Sequence, residues 1–122
     1  MPIRLPALSF LFAITSLASA QAASNYDFVA APQIDINRIY RVDRVTGEVG
    51  ACQYGIAKEG SVGVTICYRA GEGATAQTPG EYAVMASHHE RESGVFRVEM
   101  RTGAVSVCYV LNDTVVCTAS GR

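Results

Sequence analysis

Displacing the chain by 56 positions lays it on itself. Tyr26 falls on Tyr82, Ala30 on Ala86, Arg41 on Arg97, Val42 on Val98, Thr46 on Thr102, Gly47 on Gly103, Val49 on Val105 and Cys52 on Cys108. Eight of the 27 positions from Tyr26 to Cys52 are identical without a gap, where ordinary residue frequencies give roughly two. The replacements are gentle, as in Ile39/Val95, Tyr40/Phe96 and Asp43/Glu99. Beyond that the second copy is six residues shorter, and Val64-Thr65-Ile66-Cys67 matches Thr114-Val115-Val116-Cys117. A linker from Ala70 to Gly80, rich in Gly, Ala and Thr, separates the copies and reads as loop. At 122 residues there is room for one domain only.

Each copy reads as four strands. Tyr26 to Ala31 and Tyr82 to Ser87 are the first, and Ile39 to Asp43 and Val95 to Glu99 the second. Val49 to Tyr54 and Val105 to Leu111 are the third, and Gly63 to Arg69 and Thr114 to Ala119 the fourth. Between the second and third strands, Asp43-Arg44-Val45-Thr46-Gly47 and Glu99-Met100-Arg101-Thr102-Gly103 read as matching turns. Glycine takes positive φ there without steric cost, and the acidic residue can accept hydrogen bonds from the turn amides. No 3.6-residue apolar stripe occurs outside the N-terminal segment, so the fold class is all-β. The expected architecture is two tandem four-stranded antiparallel repeats, 25–71 and 81–122, packed as a sandwich. A partly closed barrel is the alternative.

The four cysteines fix the hairpins. Asn112-Asp113 is a two-residue turn, and counting outward from it sets Cys108 opposite Cys117. Cys52 and Cys67 are symmetric about Glu59-Gly60. The expected bridges are Cys52–Cys67 and Cys108–Cys117, each closing one repeat; pairings across the copies are the alternative. No C-x-x-C spacing exists, which argues against zinc.

An even cysteine count fits an oxidising compartment, and the N-terminus agrees. Met1-Pro2-Ile3-Arg4 precedes an apolar run from Leu5 to Leu17 and then Ala18-Ser19-Ala20. That order is a signal peptide over residues 1–20, cleaved after Ala20 or after Ala22. The expected product is a single β domain over 21–122, secreted or periplasmic, with no membrane span. Without Arg4 it carries nine Lys/Arg against eleven Asp/Glu. The balance is slightly acidic and the cations are scattered, so nothing draws nucleic acid or anionic lipid to it.

The segments Ile39 to Val49 and Val95 to Val105 resemble the inner hairpin of a quinoprotein-like β-propeller blade. Such blades carry an aliphatic/aromatic–acidic–x–x–Thr-Gly–x–Val pattern ending in Trp. Here the Trp is absent, and Cys52 and Cys108 come a few residues later instead. The chain is also similar to small exported bacterial proteins of unknown role with Thr-Gly hairpins followed by Cys. The resemblance implies a turn type and no cofactor.

Candidates for chemistry are few. His88-His89-Glu90 holds both histidines, but neighbours in an extended segment point to opposite sides, so a shared ion is disfavoured. It reads as an exposed loop. Asp43 and Glu99 read as turn acceptors. Arg41 and Arg97 read as a solvated strand face, with a ligand surface as the alternative. Tyr26, Tyr40, Tyr54, Tyr68, Tyr82 and Tyr109 read as core or strand-pairing residues. No catalytic, cofactor or metal site is expected. The reading is a non-catalytic exported domain that binds a protein or glycan. A small secreted enzyme using the His88-His89-Glu90 loop and a structural, oligomerising envelope component are the alternatives.

Overall fold

The computed structural model describes residues 1–15, 25–56 and 58–121. Both expected cleavage sites lie outside the described residues. Residues 1–15 form no helix or strand and are exposed. No helix among the described residues is long and apolar enough to cross a membrane.

Eight strands follow in order: β1 (Tyr26–Ala30), β2 (Arg38–Asp43), β3 (Val49–Gly55), β4 (Val64–Ala70), β5 (Tyr82–Met85), β6 (Val95–Glu99), β7 (Val105–Leu111) and β8 (Thr114–Cys117). All belong to one sheet, in the order β1-β2-β3-β4-β8-β7-β6-β5. The expectation of two sheets packed as a sandwich is therefore corrected. The last strands of the two halves join edge to edge, Arg69 opposite Thr114 and Ala70 opposite Val115. The Gly71 amide extends this seam by donating to the Val115 carbonyl at 2.6 Å, and the Cys117 amide to the Glu72 carbonyl at 2.9 Å. A hydrogen-bonded seam satisfies backbone groups that two separate sheets would leave at open edges.

The sheet curls until its outer strands approach, giving a nearly closed barrel. The Val84 amide on β5 donates to Asp27 Oδ2 on β1 at 3.0 Å, and the Tyr82 amide to the Arg44 carbonyl at 2.9 Å. At eight strands the interior is wide enough only for side chains. Tyr40, Val42, Val49 and Ala51 of the first half fill it together with Tyr82, Val84, Val95, Cys108 and Val115 of the second. The Tyr40 hydroxyl donates to the Ser93 carbonyl at 2.7 Å, and burial holds its phenol above the usual range.

The β7–β8 register is the one read from the Asn112-Asp113 turn, and the two halves share one register throughout. Tyr26 lies opposite Asp43 and Tyr82 opposite Glu99; Ile39 lies opposite Cys52 and Val95 opposite Cys108. Both disulfides are the expected ones, with Cα atoms 4.0 Å apart in Cys52–Cys67 and 4.1 Å apart in Cys108–Cys117. Gly47 (φ 73°) and Gly103 (φ 76°) hold the left-handed turn positions, and Asn112 and Asp113 share positive φ in the tight β7–β8 hairpin.

The seam has a geometric consequence. All hairpins are antiparallel, but β4 and β8 run parallel. Two like halves joined at like edges, in parallel, are related by a half turn about the strand direction. That operation exchanges the two faces of the sheet. One face carries the cysteines, here called the cysteine face; the other, with Val29, Val42 and Val49 or Val98 and Val105, is the valine face. In the first half the valine face points inward. In the second half the cysteine face does. Val42 and Val49 are buried while Val98 is half-buried and Val105 exposed; Cys108 is buried while Cys52 is half-buried and Cys67 exposed.

Candidate functional site

The half turn leaves the cysteine face of β1–β4 on the outside. Tyr26 and Phe28 on β1, Ile39 on β2 and Tyr54 on β3 are 42, 55, 44 and 51 % exposed. The counterparts of the first three, Tyr82, Val84 and Val95, are core residues, 7 % exposed or less, and that of Tyr54, Val110, is half-buried against the core. The rings of Tyr26 and Phe28 lie 6.3 Å apart, and the Arg41 guanidinium sits 5.3 Å above the Tyr26 ring. The Cys52–Cys67 bridge crosses the same face, next to Ile39. This face thus presents exposed apolar side chains together with Arg41, Asp43, Thr65 and Arg69. The sequence reading assigned the tyrosines to the core or to strand pairing. Tyr40 and Tyr82 are core, whereas Tyr26, Tyr54 and Tyr109 are exposed. No local pattern marked the difference, since β2 carries Arg38, Arg41 and Asp43 among its six residues, as a half-solvated strand would.

The same inversion separates Arg41 from Arg97. Arg41 is solvated as expected, but Arg97 is not, being 4 % exposed. Its Nη1 donates to the Gly47 carbonyl at 2.9 Å and its Nη2 to the Gly73 carbonyl at 3.0 Å, with Ser106 Oγ at 3.4 Å. It thus ties the β2–β3 turn and the linker to β6. No carboxylate lies within ion-pairing distance of it among the described residues, and burial lowers its pKa. A cleft of about 320 Å³ opens beside it, lined by Tyr82, Arg97, Glu99, Ser106 and Ser120 among others. Ser106 and Ser120 hydroxyls lie 3.1 Å apart, but no imidazole stands beside either to act as base. The lining is mixed, with the Arg97 guanidinium and the Glu99 carboxyl among its polar groups.

Asp43 and Glu99 act as read from the sequence. Asp43 Oδ1 accepts from the Val45 and Thr46 amides, each at 2.9 Å, which lowers its pKa. Glu99 Oε2 accepts from the Thr102 amide at 2.8 Å, and Oε1 from the Glu81 amide at 2.9 Å and the Arg101 amide at 3.2 Å. Hydrogen bonding from Thr102, then from the Glu81 amide, holds this carboxyl down to about 2.

His88, His89 and Glu90 lie in the exposed loop between β5 and β6. His89 Nδ1 is 3.7 Å from Glu92 Oε1 at the surface. The Glu90 carbonyl accepts from the Ile34 amide at 3.3 Å, docking this loop on the β1–β2 loop. Among the described residues no three His, Cys, Asp or Glu side chains are grouped to hold a metal. Comparison with family models, curated proteins and solved structures found no match for the chain.

Proposed function

We propose that the protein is an exported, non-catalytic β domain that binds a protein partner in the cell envelope or outside it, through the outward cysteine face of its first half. One observation carries the reading: Tyr26, Phe28 and Ile39 stand exposed on positions whose counterparts Tyr82, Val84 and Val95 are core, with Tyr54 exposed beside them. Large aromatic and aliphatic side chains in one patch are the composition of interface anchors. Two disulfides are compatible with an oxidising compartment, and the order of residues 1–20 supports export. The two halves are copies of one repeat, supported by the residue matches at an offset of 56 and by their common register. The aliphatic component of the face favours a protein over a glycan, which would ask for a ring of hydrogen-bonding groups around the aromatics.

The test is a photocrosslinking amino acid placed at Phe28, and separately at Lys58 as an exposed control, in the cells that make the protein. Exported material with intact mass starting at Gln21 or Ala23, and a discrete protein adduct from position 28 only, is the expected result. A cytoplasmic protein retaining residues 1–20, adducts to carbohydrate alone, or no adduct at position 28 overturns the reading.

A further inference from the structure

We infer that the mouth of the barrel beside Arg97 binds a small zwitterion of the α-amino-acid type, its carboxylate on Arg97 and its ammonium on Glu99. The site is separate from the outward face of the first half. Its ground is a pair of opposite charges, both withdrawn from water and not paired with each other. Arg97 is 4 % and Glu99 7 % exposed, and both line the cleft of about 320 Å³. They stand on alternate residues of β6, so they project on the same side of the strand. Yet neither forms an ion pair with any described residue. A buried charge without a counter-charge is costly, and one that lines a cleft can obtain it from a ligand.

Each group keeps bonding capacity for the cleft. The Arg97 bonds to Gly47, Gly73 and Ser106 use Nη1 and Nη2, and Nε has no acceptor among the described residues. No sealed side-chain nitrogen among them lacks a partner, so Nε opens on the cleft. Beside it the Ser106 and Ser120 hydroxyls, 3.1 Å apart, supply a further donor to a carboxylate. Glu99 spends its oxygens on the Glu81, Arg101 and Thr102 amides, which hold it ionised but bring no cation. A ligand ammonium brings one.

The pair of charges also selects. A simple anion is repelled by Glu99 and a simple cation by Arg97, so the cleft favours a molecule that carries both charges close together. The volume is at the small end of ligand pockets, which run from about 300 to 1,000 Å³; it suits an amino acid and not a peptide. Tyr82 and Pro79 offer apolar surface to the ligand's side chain. The Tyr82 hydroxyl donates to the Thr78 carbonyl at 2.6 Å and so fixes the linker at the rim. The half turn forms this site once, because the counterparts Arg41 and Asp43 lie on the outward face.

The experiment is an NMR titration of the oxidised, isotope-labelled protein with an equimolar pool of the proteinogenic L-amino acids, then with its members singly. Acetate and methylammonium, each carrying one of the two charges, are the half-ligand probes. The pool is expected to move the Ser106, Ser120 and Arg97 Nε resonances saturably. Each half-ligand should bind about tenfold more weakly than the best amino acid, having lost one charge-assisted contact. Ser120→Trp fills the mouth from an exposed position. It should keep the parent's unfolding midpoint, which is checked first, and lose the binding. Glu99→Gln should weaken the amino acid about tenfold and strengthen acetate, because the repulsion is gone. No saturable shift with the pool, or shifts that survive Ser120→Trp, overturns the inference. Acetate binding to the parent as tightly as the best amino acid also overturns it, and makes the mouth a site for anions alone.

Discussion

Replacing Arg97 by Ala should cost far more than replacing Arg41 by Ala, although the two occupy matching positions on β6 and β2. Removal of the Arg97 guanidinium takes the donors from the Gly47 and Gly73 carbonyls. A buried acceptor left without its partner costs about 1–3 kcal/mol. The lost aliphatic stem adds to this through a cavity. Against it stands the desolvation of the guanidinium, which has no carboxylate beside it and is relieved by the substitution. The balance is a loss of about 2–4 kcal/mol for Arg97→Ala. Arg41 makes one exposed contact with the Tyr26 ring, so Arg41→Ala should cost about 0.5–1 kcal/mol. Arg97→Met keeps most of the stem and should fall between them. Urea unfolding of the oxidised proteins, with m held constant across variants, reads the differences from the midpoints. Equal costs within about 0.5 kcal/mol, the usual scatter of surface substitutions, or a reversed order, would refute the half turn between the halves, because it alone puts one arginine inside and the other outside.

Three further outcomes follow from the same geometry. Gly47→Ala and Gly103→Ala share a positive φ, but a Cβ at Gly47 would lie 2.8 Å from the Tyr82 ring while one at Gly103 meets nothing within 4 Å. The first should lose about 2–4 kcal/mol and the second about 1, by thermal or urea unfolding. Limited reduction followed by alkylation and peptide mapping should label Cys52 and Cys67 well before Cys108 and Cys117, because the first bridge crosses the outer face and the second is in the core; simultaneous labelling would contradict the burial. Acid should weaken the fold through Glu99, whose folded value of about 2 lies below the ordinary 4.5. A depressed carboxyl stabilises fully above pH 4.5 and loses this as pH falls toward 2. Asp43 acts in the same direction. Urea midpoints followed down that range should fall less steeply in Glu99→Gln than in the parent.

Most of the local structure was legible. The cysteine spacing and the Asn112-Asp113 turn determined the β7–β8 register residue by residue, because a two-residue hairpin allows one pairing and a disulfide demands close Cα atoms. The Thr-Gly turns were legible for the same reason: they are local, and their acid and glycine have fixed tasks. The join of β4 to β8 was not legible. It is a parallel contact of two residue pairs, distant in sequence and carried by backbone groups that every residue has. Missing the seam meant missing the half turn. Arg97 then looked like Arg41, and Phe28 like Val84, since identical local patterns carry no mark of which face will be inside. The outward apolar surface was invisible for that reason, not for want of a motif.

Among the apolar pairs, size distinguishes inside from outside. Where the cysteine face turns inward, Val84 replaces Phe28 and Val95 replaces Ile39; where the valine face turns inward, Val29 stands for Met85 and Ala51 for Val107. In all four pairs the inward residue is the smaller, as suits a narrow eight-stranded interior filled by side chains. Gly50/Ser106, Asp43/Glu99, Asp27/Ala83 and Tyr40/Phe96 run the other way, and in each the inward residue makes a hydrogen bond, as Ser106 does with Arg97 and Tyr40 with the Ser93 carbonyl. A barrel standing alone in water would be expected to convert its outward members to charged or polar residues, as antiparallel sheets with one wet face do. These have instead stayed apolar and grown larger. Bulk at Phe28 and Met85 adds nothing to the barrel's own core, so it is best explained by contacts made outside it.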